Sequence, residues 1–184
     1  MKKLISLSSV VLTAVLFITG CGSNGSQVNT PVAGVDAKTI YISSSARFAN
    51  ESKINPAIKK ECNLNNQIID YLKIFGAKNN INFVVVSKKE SKANRLDLTI
   101  DNAVSEGNAF IGHRKFVSIS GTLKENGKTY SFKAARKSGG GFFGAYKSSC
   151  AVLGGTVKRL ARDTAEWTTM PNDGDRLGDI YLIQ

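Results

Sequence analysis

The densest chemistry in this chain lies in ten residues, 139–148, which read Gly-Gly-Gly-Phe-Phe-Gly-Ala-Tyr-Lys-Ser. A glycine-rich loop ending in Lys-Ser is how a P-loop wraps phosphates in backbone amides, and that chemistry needs the spacing G-x-x-x-x-G-K-[ST]. Counted from Gly141, Lys147 and Ser148 fall in register, but the second glycine is replaced by Tyr146. A Cβ and a phenol ring at that position block the close approach of backbone to phosphate, so nucleotide binding is not expected. The loop then reads either as a mobile strand-to-helix connection or as an interaction loop. In the second case Phe142, Phe143 and Tyr146, beside Lys137 and Lys147, present an amphipathic surface to a lipid headgroup or a partner protein. Burial of the same aromatics in the core is the competing account.

His113 is the only histidine and sits in Gly112-His113-Arg114-Lys115. A general base needs a nucleophile and an orienting partner, and no serine or cysteine motif accompanies it, so an exposed strand end or turn is expected. Asp97, Asp101 and Glu106 are carboxylates on or after one strand, and paired carboxylates can do acid–base work. On the outward face of an alternating strand they are expected to pair with Lys and Arg from neighbouring strands instead. One histidine and two isolated cysteines do not make a zinc set. No catalytic residue, metal site or cofactor is therefore expected.

The N-terminus carries a different kind of chemistry. Lys2 and Lys3 precede a mostly apolar stretch, residues 4–18, and Thr19 and Gly20 lead into Cys21. These are the n-region, h-region and small-residue cleavage site of a secretory signal. The apolar run falls short of the roughly 20 residues that a spanning helix needs. Ile18-Thr19-Gly20-Cys21 resembles the lipobox of bacterial lipoproteins. That resemblance implies cleavage before Cys21, a diacylglycerol on its thiol and usually a further acyl chain, such as palmitate, on the new amine. Two or three chains anchor firmly where one holds only marginally. Gly22, rather than Asp, follows Cys21, which by the same resemblance favours the periplasmic face of the outer membrane. The inner membrane and a Gram-positive cell surface remain open. The expected organisation is a signal peptide over 1–20, a lipidated Cys with a flexible tether over 21–36, a domain over 37–171 and a C-terminal tail over 172–184. The tether is read from its Gly, Ser, Asn, Thr and Pro content.

If Cys21 carries lipid, Cys62 and Cys150 remain as an even pair. In an exported protein such a pair reads as a disulfide, and the lack of a C-x-x-C motif ranks redox-active thiols below it. The chain has 25 Lys and Arg against 14 Asp and Glu. A basic surface suggests anionic partners. Export argues against nucleic acid, which leaves lipid headgroups, lipopolysaccharide phosphates or acidic envelope polymers, or a solvated surface with no dedicated ligand.

Alternation of apolar and polar residues predicts strands over 39–46, 95–101, 116–124 and 129–135, and the β-branched run 81–86 predicts a buried central strand. Residues 47–61, with Pro56, read as loop. Asn63 is expected to cap a helix whose stripe is Leu64, Ile68, Leu72 and Phe75. Asn126-Gly127 is the strongest hairpin signal. A second helix is expected over 149–168, with Leu153, Val157, Leu160, Ala161, Thr164 and Trp167 inward. The pattern implies an α+β two-layer sandwich: a mainly antiparallel sheet of about five strands, covered on one face by two helices. The apolar patch 180–183 adds an edge strand or stays loose. The body, through residues 138–146, Cys150 and the helix segment 160–167, resembles uncharacterised periplasmic lipoproteins, which implies no activity. The functional expectation is a membrane-anchored, non-enzymatic accessory or adaptor of the cell envelope, bound to its membrane through the anchor and to another envelope protein. The alternative is a binding module for an anionic envelope ligand.

Overall fold

The computed structural model describes residues 32–50, 54–87, 94–108, 112–139 and 148–182. Cys21, the signal segment and the loop residues Phe142, Phe143, Tyr146 and Lys147 lie outside the described residues.

Three long strands form the middle of the molecule: β4 (Arg95–Asn108), β5 (Gly112–Glu125) and β6 (Lys128–Gly139). Each alternates as its sequence requires, burying Leu96, Leu98 and Ile100 on β4, Val117, Ile119 and Leu123 on β5, and Phe132 and Ala134 on β6. They pair antiparallel. The β5–β6 turn is Asn126-Gly127, and both residues have positive φ, 51° and 75°. That is the turn whose twist matches two paired strands. The β4–β5 register slips between Ile100 and Asn102. The extra residue, Asp101, makes a bulge that carries the inward set from Ile100 to Ala103.

The flanks of the sheet are parallel. β1 (Lys38–Ile42) lies between β3 (Ile81–Val85) and β4, parallel to both, and β7 (Asp175–Gly178) lies parallel to β6. The two-residue β2 (Arg47–Phe48) extends the same edge of β4. The sheet thus has seven strands in the order β3-β1-β4-β5-β6-β7, with β2 off that path. The helices α1 (Pro56–Glu61) and α2 (Leu64–Lys78) connect β1 to β3, and α3 (Ser149–Trp167) connects β6 to β7. Parallel neighbours need a crossover of this kind.

The α+β two-layer sandwich stands, with details that differ from the sequence reading. Among the described residues the strand count is seven rather than about five, because β2 and the tail strand β7 join. The run 81–86 forms an edge strand, not a central one. Residues 56–61, read as loop, are helical because Asn55 Oδ1 accepts from the Ala57 amide (2.9 Å) and Pro56 opens the turn with its fixed φ. Asn63 occupies the cap position of α2 but makes no side-chain cap bond and has φ +47°. The tail, at 175–178, adds a strand one step before its apolar patch, which forms a 3-10 turn at Ile180–Leu182.

α3 lays its whole predicted stripe into the core, and Trp167 stacks on Phe132 with ring centroids 4.6 Å apart. Trp167 Nε1 donates to Asp175 Oδ2 at 3.0 Å, which pins the tail strand to the end of the helix. Gly121 makes this packing possible. A Cβ there would stand 2.2 Å from Phe132 Cε1 and 2.9 Å from Leu98 Cδ2. Gly121→Ala is expected to cost about 1–3 kcal/mol through overpacking, read as a lower urea midpoint with an unchanged slope.

Candidate functional site

The helix layer is closed at one end by a covalent bond. α1 ends at Cys62, whose amide donates to the Ile58 carbonyl at 3.1 Å. Asn63 then turns the chain into α2, and Gln67 Nε2 reaches back to the Cys62 carbonyl at 2.9 Å. On the other side Ser148 caps α3 by accepting from the Ala151 amide at 3.2 Å, which sets Cys150 in the first turn. Cys62 and Cys150 are disulfide-bonded, with their Cα atoms 4.8 Å apart across 88 residues of sequence. One turn further on, a Cβ at Gly154 would come within 2.6 Å of Gln67 Oε1, so α2 and α3 approach closely just behind the bond. Cys62 thus stands between the end of α1 and the start of α2, and Cys150 in the first turn of α3.

Beside the disulfide lies a cleft of about 410 Å³, lined among others by Glu61, Ser105, Glu106 and Ser149. Lys115 is buried close to two of these residues, with 4 % of its surface exposed. Its Nζ donates to Ser149 Oγ at 3.0 Å and, at shorter range, to Ser105 Oγ. Ser105 and Ser149 are also bonded to each other at 3.0 Å. No carboxylate among the described residues pairs with Lys115. The sequence reading named Lys115 only within the strand end or turn around His113 and missed this cluster. Counting back by two from the inward Val117 would have placed it on the helix side. Ser105 could not be found that way, because the bulge at Asp101 shifts the phase.

A second cleft, about 210 Å³, opens beyond the end of β1 and is lined by Ser43, Ser44, Ser45, Arg47 and Asp97 among others. Arg95, buried nearby, donates to Ser43 Oγ at 2.9 Å and to Asp97 Oδ1 at 3.1 Å. Asp97 thus pairs with a cation of its own strand rather than of a neighbour.

Other charged groups are held in place by pairing. Arg136 grips Asp163 of α3 through two bonds, 2.7 and 2.9 Å, and lies 3.6 Å from Asp179. The Asp163 hydrogen bond pushes the Arg136 pKa up from its ordinary value. Lys38 donates to the Thr168 carbonyl just past α3 (2.8 Å) and bridges Glu125 (2.7 Å), a cation at the negative end of a helix. Asp173 accepts from both the amide and the hydroxyl of Ser131, and these bonds hold its carboxyl below the ordinary range.

Of the proposed loop residues only Lys137 is described. It is exposed, its amide donates to Asp179 Oδ2 (3.0 Å), its carbonyl accepts from Arg159 (2.7 Å), and its Nζ lies 5.8 Å from the centre of the Tyr181 ring. His113 is in β5; its side chain lies outside the described residues. Asp97, Asp101 and Glu106 do not converge on one site. Asp101 accepts from Ser120 Oγ at 2.8 Å.

No protein-family model and no curated protein matches the sequence. Solved structures do match. One, of an uncharacterized protein, is 12 % identical with a TM-score of 0.48 and covers 76 % of this chain and 95 % of its own. A minor lipoprotein from Acinetobacter baumannii is 8 % identical with a TM-score of 0.38, covering 72 % and 92 %. Lipoprotein GNA1162 from Neisseria meningitidis is 13 % identical with a TM-score of 0.42, covering 70 % and 99 %. Likeness at this level settles nothing about activity.

Two outcomes follow from these contacts. Replacing both cysteines by serine removes a loop constraint of 88 residues, and the chain-entropy relation puts the loss at about 4–5 kcal/mol; equilibrium unfolding measures it. The second concerns Asp101, whose pKa is raised from 3.8 by burial, against the opposing hydrogen bond from Ser120 and the charge of Lys133. The folded state therefore holds this proton more tightly than the unfolded chain, and ionising Asp101 works against stability as pH rises above 3.8. Asp101→Asn, which keeps an acceptor for Ser120, is expected to raise the melting temperature at neutral pH. The gain should vanish at about pH 3, where both states are protonated.

Proposed function

We propose that this chain is an envelope lipoprotein, held by acyl chains on Cys21 at the periplasmic face of the outer membrane. Its α+β domain acts there as a non-enzymatic accessory or adaptor for another envelope component. The observation that carries the reading is the lipobox-like Ile18-Thr19-Gly20-Cys21 at the end of an apolar signal segment. The disulfide supports it. It takes up two of the three cysteines and leaves Cys21 as the one outside it. A domain closed by a disulfide also suits an oxidising compartment. No helix among the described residues is long and apolar enough to cross a membrane, so the acyl chains are what would hold the domain there.

The test is metabolic labelling with palmitate, followed by density-gradient separation of the two membranes. The wild-type protein is expected to take up label and travel with the outer membrane, and in-cell crosslinking there to capture one discrete envelope protein. Cys21→Ser is expected to take up none. A wild-type chain without label would refute the anchor, and label in the inner membrane would refute the placement.

A further inference from the structure

The Lys115 cluster has more donors than acceptors. An ammonium carries three N–H donors, and two of those on Lys115 are taken by Ser105 and Ser149. A hydroxyl carries one O–H and two acceptor positions. Whichever serine donates to the other, the second accepts twice, from its partner and from Lys115. Its own proton then has no acceptor among the described residues. Among the described residues the cluster is therefore left with one N–H, one O–H and a positive charge to be met. Both serines line the 410 Å³ cleft, so the spare hydroxyl proton can be directed into it.

The surroundings add to the imbalance. Burying a charge is costly unless it is paired, and among the described residues the Lys115 ammonium is met by hydroxyls alone. It also lies against Ser149, the first residue of α3, where the helix dipole disfavours a cation. An anionic group entering the cleft would meet all of these demands at once. The same cleft carries two exposed carboxylates, Glu61 and Glu106, which would repel a plain anion and hold a cation.

We propose that this cleft binds a compact zwitterion. Its phosphate or carboxylate bonds to Ser149, Ser105 and Lys115, and its ammonium lies toward Glu61 and Glu106. The site stands or falls independently of the lipid anchor.

The test is calorimetric titration of the mature protein, in a non-zwitterionic detergent, with four probes: O-phosphoethanolamine, L-alanine, inorganic phosphate and ethanolamine. At least one zwitterion is expected to bind more tightly than either single-charge probe, and whichever of the two prevails tells a phosphate headgroup from an amino-acid carboxylate. Lys115→Met is expected to weaken that zwitterion by tenfold or more, as the loss of a charge-assisted bond implies. Without ligand the same variant should melt at a higher temperature, because it removes an unpaired buried charge. Ser149→Ala, at an exposed position, is expected to weaken binding without unfolding the protein. It serves as the second variant should Lys115→Met not fold. Neutralising Glu61 and Glu106 to Gln should erase the preference for the zwitterion over inorganic phosphate. The proposal is overturned if neither zwitterion binds, if inorganic phosphate binds as tightly, or if Lys115→Met and Ser149→Ala both bind like the wild type.

Discussion

Cys62 and Cys150 are 88 residues apart in sequence and are joined where α2 and α3 begin. The link fixes the relative position of two helices that serve different parts of the sheet: α2 connects the β1–β3 pair, and α3 connects β6 to β7. The two helices also pack directly against each other, most closely at Gly154 and Gln67, so they form one layer that the disulfide closes covalently at one end. At the other end Lys38, from the start of β1, bonds the Thr168 carbonyl just beyond α3. The cleft beside the disulfide exists because these helix starts are held near the far ends of β4 and β5.

The core and that cleft follow opposite rules. Around Gly121, Phe132 and Trp167 the packing is almost wholly apolar, with the Thr164 hydroxyl buried there unbonded, and Trp167 finds a carboxylate for its one N–H. Around Lys115 a charge is buried without its opposite among the described residues. Arg136 shows how the same fold treats a cation that only has to be accommodated: Asp163 meets it with two bonds and Asp179 stands nearby. The contrast between Arg136 and Lys115, both on the helix side of neighbouring strands, is what marks the cleft as a place where stability yields to binding.

Much of the frame was legible in the sequence because it depends on local period alone. The stripes of α2 and α3, the alternation of β4, β5 and β6, and the Asn126-Gly127 turn each follow from which side of an element must be buried. The disulfide followed from counting cysteines once Cys21 was set aside for lipid. What was not legible depends on partners. A β-branched run such as 81–85 looks the same at the edge of a sheet as at its centre, and nothing within it says that its neighbour is β1. The parallel flanks were hidden for the same reason. α1 escaped because six residues are too few for a period, although Asn55 before Pro56 was a start signal. Lys115 was hidden in a basic run, and Ser105 behind a bulge that only pairing reveals.

The central claim is an anchored domain whose helix layer is closed by a disulfide, and one measurement reaches both parts. The intact mass of the protein purified from envelopes without reductant, followed by thiol labelling before and after reduction, should show a chain beginning at Cys21 with added acyl chains. It should show no reactive thiol until the disulfide is reduced, and then two. A chain of unmodified mass, or free thiols at Cys62 and Cys150 before reduction, would contradict the account.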